Sequence, residues 1–431
     1  MFHDTLVSFA ERWVIYMKYT AKIKLKNWCD KYVTADNIKI VILFIPLTIA
    51  LIRNIENVGF SFYNFLDISI LISFLAVFLC DTLATIISNI ISRKTEDANK
   101  LTQDYKNLIK KYCRSNLYSF TNTDNSKVIF PCEVLYLRRL YQDELYIDID
   151  HSNSSHRYTL PNQVSEYSSS LMKAHSNSII YNNQNVRIDS IQKKADHRIV
   201  VKYSKTTYFD SLITNRAMDY VIFDGKSLRE IYEPGPFFSS LEESKFSNHL
   251  GYNGLVELSD GNFIFVKRNS NVSTAKNMWS LSISASYKAI YGLDDQQHLT
   301  TEYISNAINK EISDELKIQI SDEHKTLYKS IIGFYRDYVE GGKPHFVFYY
   351  KTPNYNKDQF LNNFNYAIRG RAKKRNVVID GDKFVFFTKE QLLSAHIEID
   401  GIVIGQKKYT MNPSITTSLA MILESIEDKY D

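Results

Sequence analysis

Glycine is scarce in this chain, 14 residues of 431, and the loops that glycine builds around phosphate are missing with it. Neither a G-x-x-x-x-G-K-[ST] loop nor a G-x-G-x-x-G turn occurs, which removes the usual backbone cradles for nucleotide phosphates. Cysteine is equally sparse. Cys29, Cys80, Cys113 and Cys132 stand far apart with no C-x-x-C spacing, so neither a disulfide framework nor a structural zinc site has support. The ten histidines include no H-E-x-x-H, which argues against a zincin mechanism. A net charge of +4 is too small to argue for bulk attraction to nucleic acid. What remains, 44% hydrophobic and 23% charged residues, describes an ordinary folded chain long enough for two or three domains.

The longest apolar runs lie near the N-terminus. Residues 40–52 are interrupted only by Pro46 and Thr48 and bounded by Lys39 and Arg53. With Ile38 and Ile55 they just reach the roughly 17–25 residues of a spanning helix. Residues 68–91 contain one charged residue, Asp81, and end at Arg93 and Lys94. The two runs predict a transmembrane hairpin over residues 38–92, with a pair of buried core helices as the alternative. Six lysines between Lys18 and Lys39, and Arg93, Lys94 and Lys100 beyond the second run, flank a loop holding only Arg53. The positive-inside rule then places both termini in the cytoplasm of a two-pass protein. A carboxylate inside a span costs a few kcal/mol, which makes Asp81 a candidate for an oligomer seam or pore unless it lies at the interface. Residues 1–37 carry Leu6, Phe9, Trp13 and Tyr16 ahead of a basic half, an amphipathic pattern suited to a membrane surface. Residues 93–114 fit a connector helix, and residues 115–245 a β-rich connector region with strands near 128–137, 145–150 and 198–203.

Residues 306–318, NAINKEISDELKI, hold the sharpest chemical pattern. Ile304, Ala307, Ile308 and Ile312 recur at helical steps, while Glu311, Asp314 and Glu315 share another face. Such a face is either solvated or a seat for Mg2+, which takes oxygen ligands and keeps waters for a phosphate to replace. Upstream, residues 254–258 and 262–268 alternate like strands around the Asp260-Gly261 turn, and residues 279–284 alternate like another strand. Strand-like runs at 331–336 and 345–350 and helical runs at 389–395 and 416–426 follow.

Glu302 lies eight residues before Lys310, and Lys310-Glu311-Ile312-Ser313-Asp314-Glu315-Leu316-Lys317-Ile318 resembles the core of a Nudix box. It departs from that pattern at Lys310 for arginine, Asp314 for the first of two glutamates, Lys317 for glycine, and Gln296 where a leading glycine belongs. Together with Ser247-Asn248-His249-Leu250-Gly251, the Asp-Gly turn and Trp279, the chain resembles SMODS-associated Nudix-domain proteins with two N-terminal transmembrane helices, a family of CBASS anti-phage effectors. The resemblance implies a membrane α-helical hairpin plus a degenerate Nudix-like α/β/α sandwich, the latter over residues 246–431, with the small β-rich region between. It implies an inner-membrane effector whose Nudix-like domain binds a cyclic oligonucleotide from a cGAS-like synthase. Binding would assemble the hairpins into homo-oligomers that disrupt the lipid bilayer and stop the infected cell, with no DNA or protein substrate. The rival expectation is a tethered Mg2+-dependent hydrolase in which Glu311, Asp314 and Glu315 hold the metal. Degeneracy at the scaffold glycines favours the sensor, since a glycine lost from a turn constrains the backbone that positions metal and phosphate.

Basic and aromatic residues supply the expected nucleotide contacts. Arg369 and Arg371 belong to the densest basic run, residues 369–375, and Lys267, Arg268 and Arg336 fall at strand ends. Guanidinium groups suit bidentate contact with phosphate oxygens, and Trp279 or Tyr335 suits stacking on a base.

Overall fold

The computed structural model describes residues 101–140, 142–173, 182–223, 225–269, 275, 277–320, 322–372 and 381–426. Residues 1–98 and 99–431 are separate compact units, and the described residues all belong to the second.

In chain order the strands are β1 (Ser119–Thr121), β2 (Lys127–Ile129), β3 (Cys132–Leu137), β4 (Ile147–Asp150), β5 (Gln184–Lys193), β6 (Ile199–Thr207), β7 (Val221–Phe223), β8 (Lys226–Ser227), β9 (Gly251–Glu257), β10 (Asn262–Arg268), β11 (Trp279–Leu281), β12 (Ile283–Ser286), β13 (Ile331–Asp337), β14 (Lys343–Lys351), β15 (Gly381–Thr388), β16 (His396–Glu398), β17 (Gly401–Ile404) and β18 (Lys407–Thr410). The principal helices are α1 (Tyr105–Lys111), α2 (Asn162–Lys173), α3 (Thr301–Glu311), α4 (Lys357–Ala372) and α5 (Pro413–Ile426).

Among the described residues the largest sheet has eight strands in the path β11-β10-β9-β14-β13-β3, with β12 added to β9 and β15 to β10. It is mixed, because β9 and β14 run parallel while the other pairs are antiparallel. Period-two alternation divides its side chains between two cores. Ile264, Val266, Phe346 and Phe348 face one core, which α3 closes with Ile304, Ala307, Ile308 and Ile312. Phe263, Phe265, Val347 and Tyr349 face the other, which α5 closes with Ile415, Leu419 and Ile422. The sheet β4-β6-β5 lends Val186, Ile188 and Val201 to the α3 core, and β16-β17-β18 lends Ile397, Ile402 and Tyr409 to the α5 core.

The sheet forks between β9 and β10. They meet at Glu257 and Phe263 and then part. β11 enters the gap against β10, and β12 continues against β9. Residues 279–284 are therefore two strands with different partners, which is why Leu281 and Ile283 point into opposite cores. Ser282 sits at the switch, donating to the Ile264 carbonyl (2.6 Å) and accepting from the Val256 amide (2.8 Å).

The expected membrane hairpin joined to a Nudix-like sandwich is corrected to mixed α/β with several sheets. No helix among the described residues is long and apolar enough to cross a membrane. The most apolar, α5, has 14 residues, about 21 Å at 1.5 Å per residue against a hydrocarbon core of about 30 Å, and its apolar side chains are spent on the protein core. The inner-membrane, two-pass location is corrected likewise, in that none of the described residues supplies a spanning helix. The runs at 40–52 and 68–91, with Asp81, lie outside the described residues.

Candidate functional site

Helix α3 begins at Thr300, whose side chain accepts the Tyr303 amide, and runs to Glu311 before widening into a π-turn over Ile312–Leu316. The turn ends at Lys317 in the left-handed region, φ 60° and ψ 21°. The backbone here adopts the conformation that glycine permits, and a lysine holds it at the steric cost of a Cβ. Lys317 is buried, its ammonium donates to the Asp314 carbonyl, and its own carbonyl accepts Nδ2 of Asn363 on α4 at 2.6 Å.

The π-turn sends the three acids in different directions. Glu311 turns inward, only 4% exposed, and accepts the Tyr291 hydroxyl and the Lys288 ammonium (3.3 Å). Burial and the Glu311 carboxylate push the Tyr291 phenol far above its ordinary value, so it stays a donor. Asp314 is exposed and paired with Lys310 one turn back. Glu315 is half-buried and lines a cavity with Arg268, Ser280, Ser282, Ser284 and Gly381. Glu302 is exposed in the first turn of α3. Among the described residues no group of three or more His, Cys, Asp or Glu side chains is placed to hold a metal ion.

The basic candidates also separate. Alternation along β10 puts Arg268 beside Val266 on the α3 face and Lys267 on the α5 face, where its ammonium lies 5.9 Å from the Trp279 ring centroid. Trp279 packs edge-on to Tyr409 at 5.8 Å, so its ring is partly spent on the protein. Arg336 is 3% exposed, pairs with Glu133 (3.3 Å), donates to the Ser239 carbonyl and lies over Phe238 and Tyr338. It clamps the chain around Ser239 and is not available to a ligand. Tyr335 is fully buried against His345 and hydrogen-bonded to Ser414. Arg369 and Arg371 lie in the last turn of α4, and β15 begins at Gly381, in register with Arg268.

Arg268 and Glu315 thus share one place, the fork on the α3 face. Three serines missed by sequence reasoning line it too, and Ser280 Oγ is buried there without a hydrogen-bond partner. Their signal was the alternation Ser280, Ser282, Ser284, which also fits an ordinary half-exposed strand. The cavity measures about 20 Å3, room for one water molecule.

Comparison with known proteins returns no matching family model and no matching curated protein.

Proposed function

We propose that this chain senses a cyclic oligonucleotide by binding it without hydrolysis, as the recognition part of an anti-phage signalling effector. The observation that carries the preference for binding over turnover is the dispersal of the box acids. Glu311 is consumed by Lys288 and Tyr291, and Asp314 by Lys310, whereas metal-assisted attack on phosphorus needs carboxylates converging on one ion. The ligand engages the mouth of the fork, where Arg268 supplies a guanidinium and Ser280, Ser282 and Ser284 supply hydroxyls. Gly381, in register with Arg268, lies at the same rim. Binding drives self-association only in so far as the assembled form binds the messenger more tightly.

Calorimetry of the full chain with cyclic di- and trinucleotides, with and without Mg2+, tests this while chromatography follows the ligand. The expected result is binding of intact ligand, weakened at least tenfold by Arg268→Ala. Mg2+-dependent turnover, or no binding by any member of the panel, overturns it.

A further inference from the structure

A second cluster of polar groups lies at the far end of β9 and β14, where the β13–β14 turn meets the segments around Arg216 and Asn248. Three separate stretches of chain supply it. Arg216 comes from the turn after Thr214, and Asn248 and His249 from the segment entering β9. Glu340 comes from the β13–β14 turn, and Lys343 and His345 from the start of β14. The side chains of Arg216 and Glu340 are each only 10% exposed and stand 3.8 Å apart, and Lys343 pairs with Glu340 at 3.0 Å. Asn215 ties the cluster together, donating to Asn248 Oδ1 (3.0 Å) and to the Glu340 carbonyl (2.9 Å).

Much of its hydrogen-bonding capacity is unused. Arg216 Nε and Nη1, Asn248 Nδ2, His249 Nδ1 and both ring nitrogens of His345 are buried without a partner. Buried polar atoms are almost always paired by protein, water or ligand, so this concentration marks a place that something outside the chain completes. Donors outnumber acceptors among them, because the guanidinium and amide atoms only donate, neutral His345 offers one of each, and His249, whose Nε2 meets Ser286 Oγ, has one ring nitrogen left; the carboxylate oxygen of the set, Glu340 Oε2, lies 3.0 Å from the Lys343 ammonium. Charge points the same way. Burial, then the Lys343 charge, holds His249 and His345 well below the usual imidazole range, so both are neutral. Arg216 and Lys343 then face the Glu340 carboxylate and the Tyr208 hydroxyl, with Asp337, pushed up to about 7 by burial and by Glu340, offsetting the remaining positive charge only in part.

We propose that Arg216, Asn248 and His345 form a buried site for one small oxyanion, a phosphate group carrying a single net negative charge. The anion accepts from the guanidinium, the amide and one imidazole N–H, and its charge balances the excess of Arg216 and Lys343 over Glu340. The site is separate from the fork, and the proposal does not depend on what binds there. The phosphate comes either from free phosphate or from a phosphodiester group of a nucleotide.

The test is thermal unfolding of the full chain at constant ionic strength in chloride, inorganic phosphate, or chloride with a cyclic dinucleotide. Phosphate is expected to raise Tm by several degrees over chloride, and Arg216→Gln to remove that difference while Arg268→Ala keeps it. Should Arg216→Gln fail to fold, Asn248→Asp serves instead. It supplies the negative charge from the protein, and is expected to raise Tm in chloride and abolish the response to phosphate. A cyclic-dinucleotide shift that persists when Arg268→Ala has disabled the fork, and that adding Arg216→Gln or Asn248→Asp to that variant removes, makes the source a phosphodiester, and a shift with phosphate alone makes it free phosphate. Equal Tm values in phosphate and chloride, or a phosphate response unchanged in these variants, overturn the proposal.

Discussion

Lys317 shows how one residue can record a constraint it does not itself suit. Its φ of 60° costs an L-residue about 1 kcal/mol relative to glycine, and a Lys317→Gly change alone would confuse that term with the loss of a buried side chain. The clean comparison is between two truncations. Lys317→Gly is expected to unfold at higher urea than Lys317→Ala, by about 1 kcal/mol, and equal stability would show that the turn relaxes out of the left-handed region. Glu311 makes the complementary point. A sequence pattern grouped it with Asp314 and Glu315, yet Lys288 and Tyr291 hold it inside. Removing it strands a buried hydroxyl and a half-exposed ammonium, so Glu311→Ala should cost about 2 kcal/mol in a denaturant titration. An effect confined to ligand binding, with stability unchanged, would instead return Glu311 to the role of a ligand group.

At the scale of elements, legibility followed locality. β9, β10, β13, β14 and α5 lie where short-range alternation and helical spacing put them. Residues 381–388, which form β15, escaped notice because Phe384, Val385, Phe386 and Phe387 form an unbroken apolar run whose two faces enter different cores. The fork escaped for a deeper reason. Nothing between Trp279 and Ser286 announces a change of partner, since the switch depends on β9 and β10 diverging, and Ser282 is an unremarkable residue until its hydroxyl is seen to serve both strands. Arg336 reads in sequence as a free strand-end cation for the same reason, because its partner Glu133 lies 203 residues away. Ser282→Ala leaves the Ile264 carbonyl and the Val256 amide without a partner in a closed interior. It should destabilise the protein by about 2–3 kcal/mol and speed exchange of the Val256 amide beyond that of its β9 neighbours. Uniform acceleration along β9 would mean that global unfolding, and not the fork, governs the site.

For the molecule as a whole, the buried charges at the β13–β14 turn set a dependence of stability on pH whose sign follows from counting protons. His249 and His345 stay neutral in the folded state well below the ordinary imidazole pKa of 6.5, because burial and then Lys343 oppose the imidazolium. The unfolded chain therefore takes up two protons that the folded chain refuses as pH falls through 6.5. Asp337 works in the other direction. Burial and Glu340 push it up to about 7 from 3.8, so the folded chain gains a proton that the unfolded one lacks until about pH 4. Counting these three groups, between roughly pH 6 and 4.5 the unfolded state binds one more proton than the folded state, and their contribution to stability falls by about 1.4 kcal/mol per pH unit as the solution is acidified. Below 4.5 the loss steepens, because Glu340 is held ionised by Arg216 and Lys343 against its own desolvation. Two variants separate the terms. His345→Gln removes one refused proton and should flatten the profile between pH 6 and 4.5, whereas Asp337→Asn removes the compensating one and should double its slope. Urea midpoints measured across that range in chloride buffers decide the matter. Parallel profiles for the wild type and both variants would mean that these groups are reached by water in the folded state and carry no linkage between protonation and folding.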